Sequence, residues 1–341
     1  MKRAMLVALV AVTFLGAGPP AQAQSVGEVF RKVNPSVVVI RARGREVSGQ
    51  SEARYTETGS GVLISKDGKV MTAAHVVHTM DEIVVEFMGG EAVKAKVIAS
   101  EPAADLSLLL LERVPANARV APLANSDKVQ VGDQVVIVGA PYGLSYSLSV
   151  GWISARWAPN TMYRSMPLAE FFQTDAVINT GNSGGPMFNM AGEVIGIVSH
   201  NISKSGGSEG LGFVVTGNTA RQLLLEKRSF WGGLEGQMLT ERQADILNLP
   251  PGALGYLVKV VAKGSPGEAA GLRGGTTTIT IDGESLVVGG DILLSIAGIK
   301  INGVADLVKI RDTLAGMGSG GTFTGTALRA GKVIELTGTI P

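Results

Sequence analysis

The stretch Thr180-Gly181-Asn182-Ser183-Gly184-Gly185-Pro186 is the most informative in the chain. It sets one serine among three glycines, and glycine leaves room for a neighbouring backbone and adopts dihedral angles closed to other residues. Such a loop can direct backbone N–H groups at one point, where they would hold a developing oxyanion beside a serine nucleophile. A plain surface turn is the alternative. The chemical interpretation therefore requires a general base and an acid that orients it.

Three histidines are the candidate bases. His75 directly follows the strand-like segment Val70-Met71-Thr72 among small and β-branched residues, and a buried imidazole there needs a partner for each nitrogen. His78 lies three residues further on, in a segment that leads into a polar turn, and is interpreted as a solvated loop residue. His200 ends the strand after the serine and is better placed to line a substrate cleft. His75 is therefore the preferred base.

Asp105 is the candidate orienting acid, since it directly precedes the apolar run Leu106 to Leu111. A carboxylate next to such a run is expected to be partly buried and then needs a hydrogen-bonding partner. It could instead cap a turn. In a catalytic arrangement it would accept a hydrogen bond from the second ring nitrogen of His75 and fix the tautomer of the base.

The strand pattern predicts a mainly β protein. Many short strand-like segments, without long helices between them, favour an antiparallel two-barrel or sandwich architecture. A connector near Pro115 would separate two similar halves, Ser36 to Val114 and Gln130 to Thr216. Residues 24–34 have helical spacing and predict a short lead-in helix, packed on its own domain or against another subunit.

Six segments together resemble the HtrA/Deg-type serine proteases of the chymotrypsin clan. Each motif alone is weak, but all six occur in the order of the family. They are Gly59-Ser60-Gly61-Val62, Thr72-Ala73-Ala74-His75-Val76-Val77, Asp105-Leu106-Ser107-Leu108-Leu109, Gly139-Ala140-Pro141-Tyr142-Gly143-Leu144, Gln173-Thr174-Asp175-Ala176 and Gly181-Asn182-Ser183-Gly184-Gly185-Pro186. Ala73-Ala74 and Thr180 depart from the commoner family residues, but neither is expected to touch a catalytic atom.

The resemblance implies a chymotrypsin-like double β-barrel over residues 35–227 with the triad His75, Asp105 and Ser183. It also implies an oxyanion hole made by the backbone amides of Gly181 and Ser183. By position, the substrate pocket is expected to include Val177, with an edge formed by Ser199, His200 and Asn201. Because Val177 is not acidic, a small aliphatic substrate side chain is expected there.

Residues 228–341 resemble a PDZ domain, which binds an extended peptide as an added strand and holds its terminal carboxylate in a loop. That loop would consist of Trp231, Gly232, Gly233 and Leu234. Residues 276–290 interrupt the family pattern and predict an inserted hairpin, which could pair at a sheet edge or cover the peptide groove. The domain could instead only space or assemble subunits.

The N-terminus has the features of an export signal. Lys2 and Arg3 precede the apolar run Ala4 to Gly16, and Ala21-Gln22-Ala23 offers a small-residue cleavage site. We therefore expect a signal peptide at residues 1–23 and a mature chain that starts at Gln24. An uncleaved anchor is the alternative, although the apolar run falls short of the roughly 18 residues that span a membrane.

Composition narrows the classes of function. Removal of Lys2 and Arg3 changes the net charge from +1 to −1, which leaves no basic footprint for nucleic acid. The chain has no cysteine and only three histidines, so disulfides and thiol nucleophiles are excluded. A metal site and a cofactor are not expected.

The combined interpretation is an exported, most simply periplasmic, serine endopeptidase that degrades unfolded or damaged proteins. Its expected partners are unfolded proteins or peptides at the catalytic site and peptide C-termini at the PDZ domain. The resemblance implies a homotrimer or a higher homo-oligomer. Two alternatives are a chaperone-like or regulatory binding protein with latent proteolysis and a membrane-tethered, stress-sensing protease.

Overall fold

A computed structural model describes residues 24–48, 51–163, 165–227 and 229–340. Two closed six-stranded barrels are followed by a separate C-terminal sheet domain. The mainly β, chymotrypsin-like double-barrel fold expected from the sequence is confirmed. The expected signal peptide lies outside the described residues. No helix in the described part of the chain is long and apolar enough to cross a membrane.

Helix α1 (Val26–Val33) leads into the first barrel. The Ser25 hydroxyl accepts a hydrogen bond from the Glu28 amide, and the Glu28 carboxylate accepts one from the Ser25 amide. This reciprocal cap satisfies two amides that a helix start leaves unpaired. Val29 and Val33 are buried in the core between the barrels. The helix therefore packs on its own domain through this face.

Six antiparallel strands close the first barrel, because its first strand pairs with both the second and the fourth. They are β1 (Val37–Ser48), β2 (Ser51–Leu63), β3 (Lys69–Thr72), β4 (Glu82–Glu86), β5 (Ala92–Glu101) and β6 (Leu106–Leu111). Around the barrel they follow the order β1-β2-β3-β6-β5-β4. The one-turn helix α2 (Ala74–Val77) connects β3 to β4 and carries His75.

The second barrel repeats this arrangement. Its strands are β7 (Gln134–Gly139), β8 (Ser147–Trp157), β9 (Phe171–Thr174), β10 (Pro186–Phe188), β11 (Val194–Asn201) and β12 (Gly212–Thr216). They follow the order β10-β11-β12-β9-β8-β7, and the pairing of β10 with β7 closes the barrel. Helix α3 (Gly217–Arg221) continues into a π-helical turn at Gln222–Glu226 and ends the barrel region.

The strands at the junction of the barrels are apolar without interruption because both of their faces are buried. In β7, Val135 and Ile137 belong to the core of the second barrel, whereas Val136 and Val138 belong to the core between the barrels. Successive side chains of a strand point to opposite faces, so one strand contributes to two cores. The loops at this junction therefore project from a rigid support.

The C-terminal domain is built on an antiparallel sheet in the order β13-β14-β17-β19-β20, with β18 paired to β17. Its elements are β13 (Leu234–Met238), α4 (Glu241–Ile246), β14 (Tyr256–Val261), α5 (Pro266–Ala269), β15 (Thr277–Ile281), β16 (Glu284–Val288), β17 (Ile292–Ile296), β18 (Ile299–Lys300), α6 (Val304–Gly316), β19 (Thr322–Arg329) and β20 (Lys332–Thr339). Strands β15 and β16 pair only with each other in a separate hairpin within residues 276–290.

The C-terminal domain docks on the first barrel. Trp231 packs against the core of that barrel, and its Nε1 donates a hydrogen bond to the His78 carbonyl at 2.8 Å. Arg311 on α6 lies 3.4 Å from Glu101, the last residue of β5. Burial raises the pKa of Glu101, whereas the Arg311 charge opposes this effect. The C-terminal domain thus contacts segments next to His75 and Asp105.

Candidate active site

The serine loop requires glycine at two positions. Gly181 has φ of 100°, and a Cβ there would lie 2.1 Å from the Ala140 carbonyl oxygen. Gly184 has φ of 81°, and a Cβ there would lie 2.1 Å from Thr72 Oγ1. A larger residue at either position would combine an unfavourable left-handed backbone with a steric clash. The glycines of the sequence motif are therefore required at these two positions for steric reasons.

Ser60 on β2 anchors the serine loop from the first barrel. Its Oγ donates to the Gly181 carbonyl at 2.7 Å, and its amide donates to the Ser183 carbonyl at 2.8 Å. The Ala140 amide donates to the same Ser60 oxygen at 2.9 Å. The loop is thus tied to both barrels. The sequence contained this residue within the Gly59-Ser60-Gly61 motif but gave no indication of its role.

Two amides of the loop are left free of internal partners. The Thr180 carbonyl accepts from the Tyr142 amide at 2.7 Å, and the Asn182 carbonyl accepts from the Gly185 amide at 2.9 Å. The next amides, those of Gly181 and Ser183, point the opposite way because a peptide unit is planar and trans. Neither donates a hydrogen bond within the part of the chain that the structure describes. Both can therefore bind an anion from outside.

His75 and Asp105 form a paired imidazole and carboxylate. His75 Nδ1 lies 2.9 Å from Oδ1 and 3.0 Å from Oδ2 of Asp105, and the His75 amide donates to Oδ1 at 3.1 Å. Asp105 adopts a left-handed backbone with φ of 52° at the end of the turn Pro102–Ala104. Because the carboxylate accepts both the ring and the backbone N–H of His75, it fixes the orientation of the imidazole.

Burial and hydrogen bonding act in opposite directions on this pair. Asp105 is 7% exposed, and burial tends to raise its pKa, but its hydrogen bond and charge interaction with His75 hold the pKa below 3.8. The His75 side chain is 51% exposed rather than buried as expected; its partial desolvation tends to lower the pKa, yet the hydrogen bond and the charge of Asp105 raise it above 6.5. The pair therefore favours an ionised carboxylate beside an imidazole that gains a proton readily.

Ser183 lies at the same junction with its hydroxyl engaged elsewhere. Ser183 Oγ donates to the Ser199 carbonyl at 3.2 Å, and no hydrogen bond joins it to the His75 ring among the described residues. Ser199 Oγ in turn donates to Asp105 Oδ2. A serine, a histidine and an aspartate are therefore assembled around one strand end, with the serine proton directed away from the His75 ring.

Comparisons with known proteins show which family this chain resembles. Residues 59–197 match the model of a trypsin-like peptidase domain. A probable periplasmic DegP-like serine endoprotease of Pseudomonas putida strain GB-1 is 35% identical over 79% of this chain and 56% of its own length. A protein of the same description from Hahella chejuensis is 38% identical over 70% of this chain and 50% of its own length. The chain therefore spans about half the length of these relatives.

The chain belongs to the HtrA/Deg family of serine proteases. Solved structures of the HtrA-type protease AlgW, one with a decapeptide and one with a tripeptide, are each 27% identical to this chain. The alignments cover 93% of this chain and 98% or 96% of the AlgW chains, with TM-scores of 0.53 and 0.52.

The residues expected to form the pocket of this HtrA/Deg chain differ in their surroundings. Val177 is 52% exposed. Asn201 Nδ2 donates to the Ile178 carbonyl at 3.0 Å and to the Gly207 carbonyl at 3.3 Å, so it ties the loop that follows Val177 to the connection between β11 and β12. The Ser199 side chain faces Asp105, and the His200 ring lies among aromatic side chains. Among these four, Val177 therefore has the most open side chain.

The interpretation of His78 as a solvated residue is wrong. Its Nδ1 lies 2.7 Å from Ser100 Oγ, and its Nε2 lies 2.9 Å from the Leu234 carbonyl oxygen. Burial lowers the pKa of His78. The C-terminal domain folds back over this side chain, and a contact with a residue so distant along the chain leaves no local signal in the sequence.

The loop Trp231–Leu234 of this HtrA/Deg chain lies at the domain junction. The carbonyls of Gly232 and Gly233 accept hydrogen bonds from the C-terminal domain itself, from the Gly267 amide at 3.0 Å and the Ala262 amide at 2.7 Å. The Leu234 carbonyl instead accepts from His78 of the first barrel. Among the described strands, β13 pairs with β14 alone, and its other edge faces His78.

No cluster of three or more histidine, aspartate or glutamate side chains suited to a metal ion occurs among the described residues.

Ser199 and Ser60 are the site residues whose roles the sequence did not reveal. The nearest signal was the occurrence of Ser60 within the Gly59-Ser60-Gly61-Val62 motif, and Ser199 was expected only at the pocket edge.

Proposed function

We propose that this chain is an exported serine endopeptidase that degrades unfolded or damaged proteins, with His75, Asp105 and Ser183 as its catalytic triad. The observation that carries the proposal is the His75–Asp105 pair, joined at 2.9 Å and 3.0 Å, beside a serine loop with two free amides. The names of the curated relatives support the periplasm as the compartment.

The proposed reaction is acyl transfer to Ser183. The hydroxyl attacks the substrate carbonyl while His75 Nε2 takes its proton, and Asp105 retains the hydrogen bond from Nδ1–H and stabilises the imidazolium. The amides of Gly181 and Ser183 stabilise the oxyanion that develops on the carbonyl oxygen. His75 then returns the proton to the leaving amine, and water attacks the acyl-enzyme by the same route.

The resting orientation of the Ser183 hydroxyl supports the proposal that the enzyme is regulated. The Ser183 hydroxyl donates its hydrogen bond to the Ser199 carbonyl, so the hydroxyl must turn toward His75 before it can attack a substrate. A ligand that shifts the segments around the site would favour one of these two arrangements. We therefore propose that the resting state of the enzyme has low activity.

We assign the regulatory role to the C-terminal domain, as a PDZ domain that binds a peptide C-terminus at the loop Trp231–Leu234. An added strand would pair with the free edge of β13, where His78 now donates to the Leu234 carbonyl. Peptide binding would therefore compete with a contact that lies three residues from His75. The peptide-bound AlgW structures support peptide recognition, and the family supports a homotrimer.

The pocket is proposed to accept small aliphatic side chains of the substrate. Val177 offers an exposed apolar surface. Because the residue at this position is not acidic, it provides no charge to attract a basic side chain. Asn201 braces the adjoining loop through the Ile178 carbonyl. Cleavage-site mapping on a denatured protein tests this preference, which predicts few cuts after lysine or arginine.

Covalent labelling of Ser183 tests the proposed nucleophile. Purified protein is treated with a fluorophosphonate, digested and mapped by mass spectrometry, beside a His75→Ala variant. We expect modification of Ser183 in the wild type and little in the variant, because the serine then lacks its base. Modification of another serine, or equal labelling of both proteins, would contradict the assignment.

A further inference from the structure

A second histidine is hydrogen-bonded to the catalytic-site carboxylate through one serine. Ser199 Oγ donates to Asp105 Oδ2 and lies 2.9 Å from His200 Nδ1. On its other side, the same carboxylate accepts from His75. The four side chains therefore form a continuous row from His200 to His75.

The protons in this row can be assigned from the number of donors. Ser199 has one hydroxyl proton, and Asp105, as a carboxylate, can only accept. Burial tends to raise the pKa of Asp105, but its hydrogen bonds to His75 and Ser199 lower it, so the carboxylate is ionised at neutral pH. The Ser199 proton therefore lies toward Asp105, and His200 Nδ1 must carry the proton that it donates to Ser199.

The surroundings of His200 hold the ring in this tautomer. The ring stacks on Phe213 with centroids 5.3 Å apart and meets Tyr163 edge-on at 4.6 Å. Its Nε2 is buried and has no hydrogen-bond partner among the described residues. An imidazolium would bury an unpaired N–H there, which is costly, and burial lowers the pKa of His200.

We propose that His200 is a positioning residue of the active site, whose Nδ1–H holds the Ser199 hydroxyl with its proton on Asp105. The inference rests on the proposed function, since it concerns the orientation of the triad. A donor to the Ser199 oxygen polarises its O–H group and strengthens the next bond in the row. His200 thus acts through Ser199 and Asp105, which goes beyond the role of lining a substrate cleft.

The test compares His200→Asn with His200→Leu. These side chains have nearly the same shape, both remove the ring, and the asparagine amide can place an N–H where Nδ1–H was. The second-order rate of Ser183 modification by a small fluorophosphonate is measured against pH, because this probe reports His75 without an extended substrate. His200→Gln, whose amide reaches the Nε2 position instead, is the control with a misplaced donor.

We expect the acid midpoint of this rate to rise in the leucine and glutamine variants. A weaker Ser199 donor leaves the Asp105 carboxylate more basic, so it binds protonated His75 more strongly; about 0.3 to 0.5 pH unit is the expected shift. The asparagine variant should recover the wild-type midpoint. In a Ser199→Ala background, asparagine and leucine should give equal midpoints, because the link to Asp105 is gone.

The outcomes separate the two proposals. Asp105, His75 and Tyr163 face His200 in the described part of the chain, Glu57 also acts on His75, and all four are the same in every variant. Equal midpoints for asparagine and leucine, with Ser183 still modified, would overturn the role of His200 and leave the proposed function intact. A wild-type protein whose Ser183 does not react would contradict both.

Discussion

The imidazole of His75 lies under two opposing influences, partial desolvation and the neighbouring carboxylate. Partial desolvation of this half-exposed ring disfavours its charged form, but the hydrogen bond and charge of Asp105 outweigh this and raise the pKa above 6.5. Only the neutral imidazole can take the Ser183 proton. We expect kcat/KM for a labelled casein to fall as the pH drops through a midpoint above 6.5. A midpoint at or below that value would show that Asp105 does not govern the base.

Asp105→Asn should lower kcat by about 10⁴-fold, as in chymotrypsin-type enzymes generally. The amide offers an N–H where the ring N–H needs an acceptor, so the histidine is held in the wrong tautomer. Asp67→Asn is the matched control, since Asp67 is an exposed aspartate paired with Lys69. Casein hydrolysis measures both variants, and equal activity in them would contradict the role of Asp105.

Single residues were predictable where the motif itself carries the chemistry. The serine loop and the order His75, Asp105, Ser183 led to the prediction of a triad, and the structure places His75 and Asp105 in hydrogen-bonding contact. His78 was assigned wrongly because its partner, the Leu234 carbonyl, is 156 residues away. Ser199 was expected at the pocket edge, and only the structure shows that its hydroxyl turns to Asp105. Contacts between segments without a local motif were therefore the ones missed.

The serine loop is the element on whose backbone the proposed chemistry depends. Gly181→Ala would place a Cβ 2.1 Å from the Ala140 oxygen at φ of 100°, so the loop must shift and its free amides must move. We expect casein hydrolysis to fall by about 10²-fold or more, the typical cost of losing one oxyanion donor. Gly206→Ala is the control, since it has φ of 86° with no atom within 4 Å of the new Cβ. Equal loss in both variants would mean that general strain, not the oxyanion loop, is responsible.

Elements with a strong hydrophobic periodicity or a clear turn sequence were predicted well, whereas the way these elements pack together was not. A hairpin was predicted within residues 276–290, and β15 and β16 pair there. Nothing in the sequence pattern indicates whether the hairpin joins the main sheet, which depends on pairing with distant strands. The structure keeps it separate from β13 and the other strands of the domain.

At the scale of the molecule, the docking of the C-terminal domain depends on Trp231. Trp231→Ala removes its packing against the first barrel and the hydrogen bond to the His78 carbonyl. A loss of about 2 kcal/mol would make the undocked form roughly 30-fold more populated. The Lys263 amide, which donates to Asp81 across the interface, should then exchange its hydrogen about 30-fold faster.

Trp152→Ala is the matched control for this docking, because Trp152 is 49% exposed on the second barrel. Its Lys263 exchange rate should equal that of the wild type. An unchanged exchange rate in Trp231→Ala would contradict the account of the interface. This interface could not be predicted from the sequence, because neither domain carries a local pattern that specifies the other as its partner.

Casein degradation by the wild type beside Ser183→Ala is the most direct test of the central claim, that this molecule is a serine endopeptidase. Ser205→Ala, in the polar tip that follows β11, serves as the control for loss of a serine hydroxyl. We predict that the wild type and Ser205→Ala degrade casein and that Ser183→Ala does not, with a loss of about 10⁶-fold in kcat. Degradation at the wild-type rate by Ser183→Ala would contradict the account.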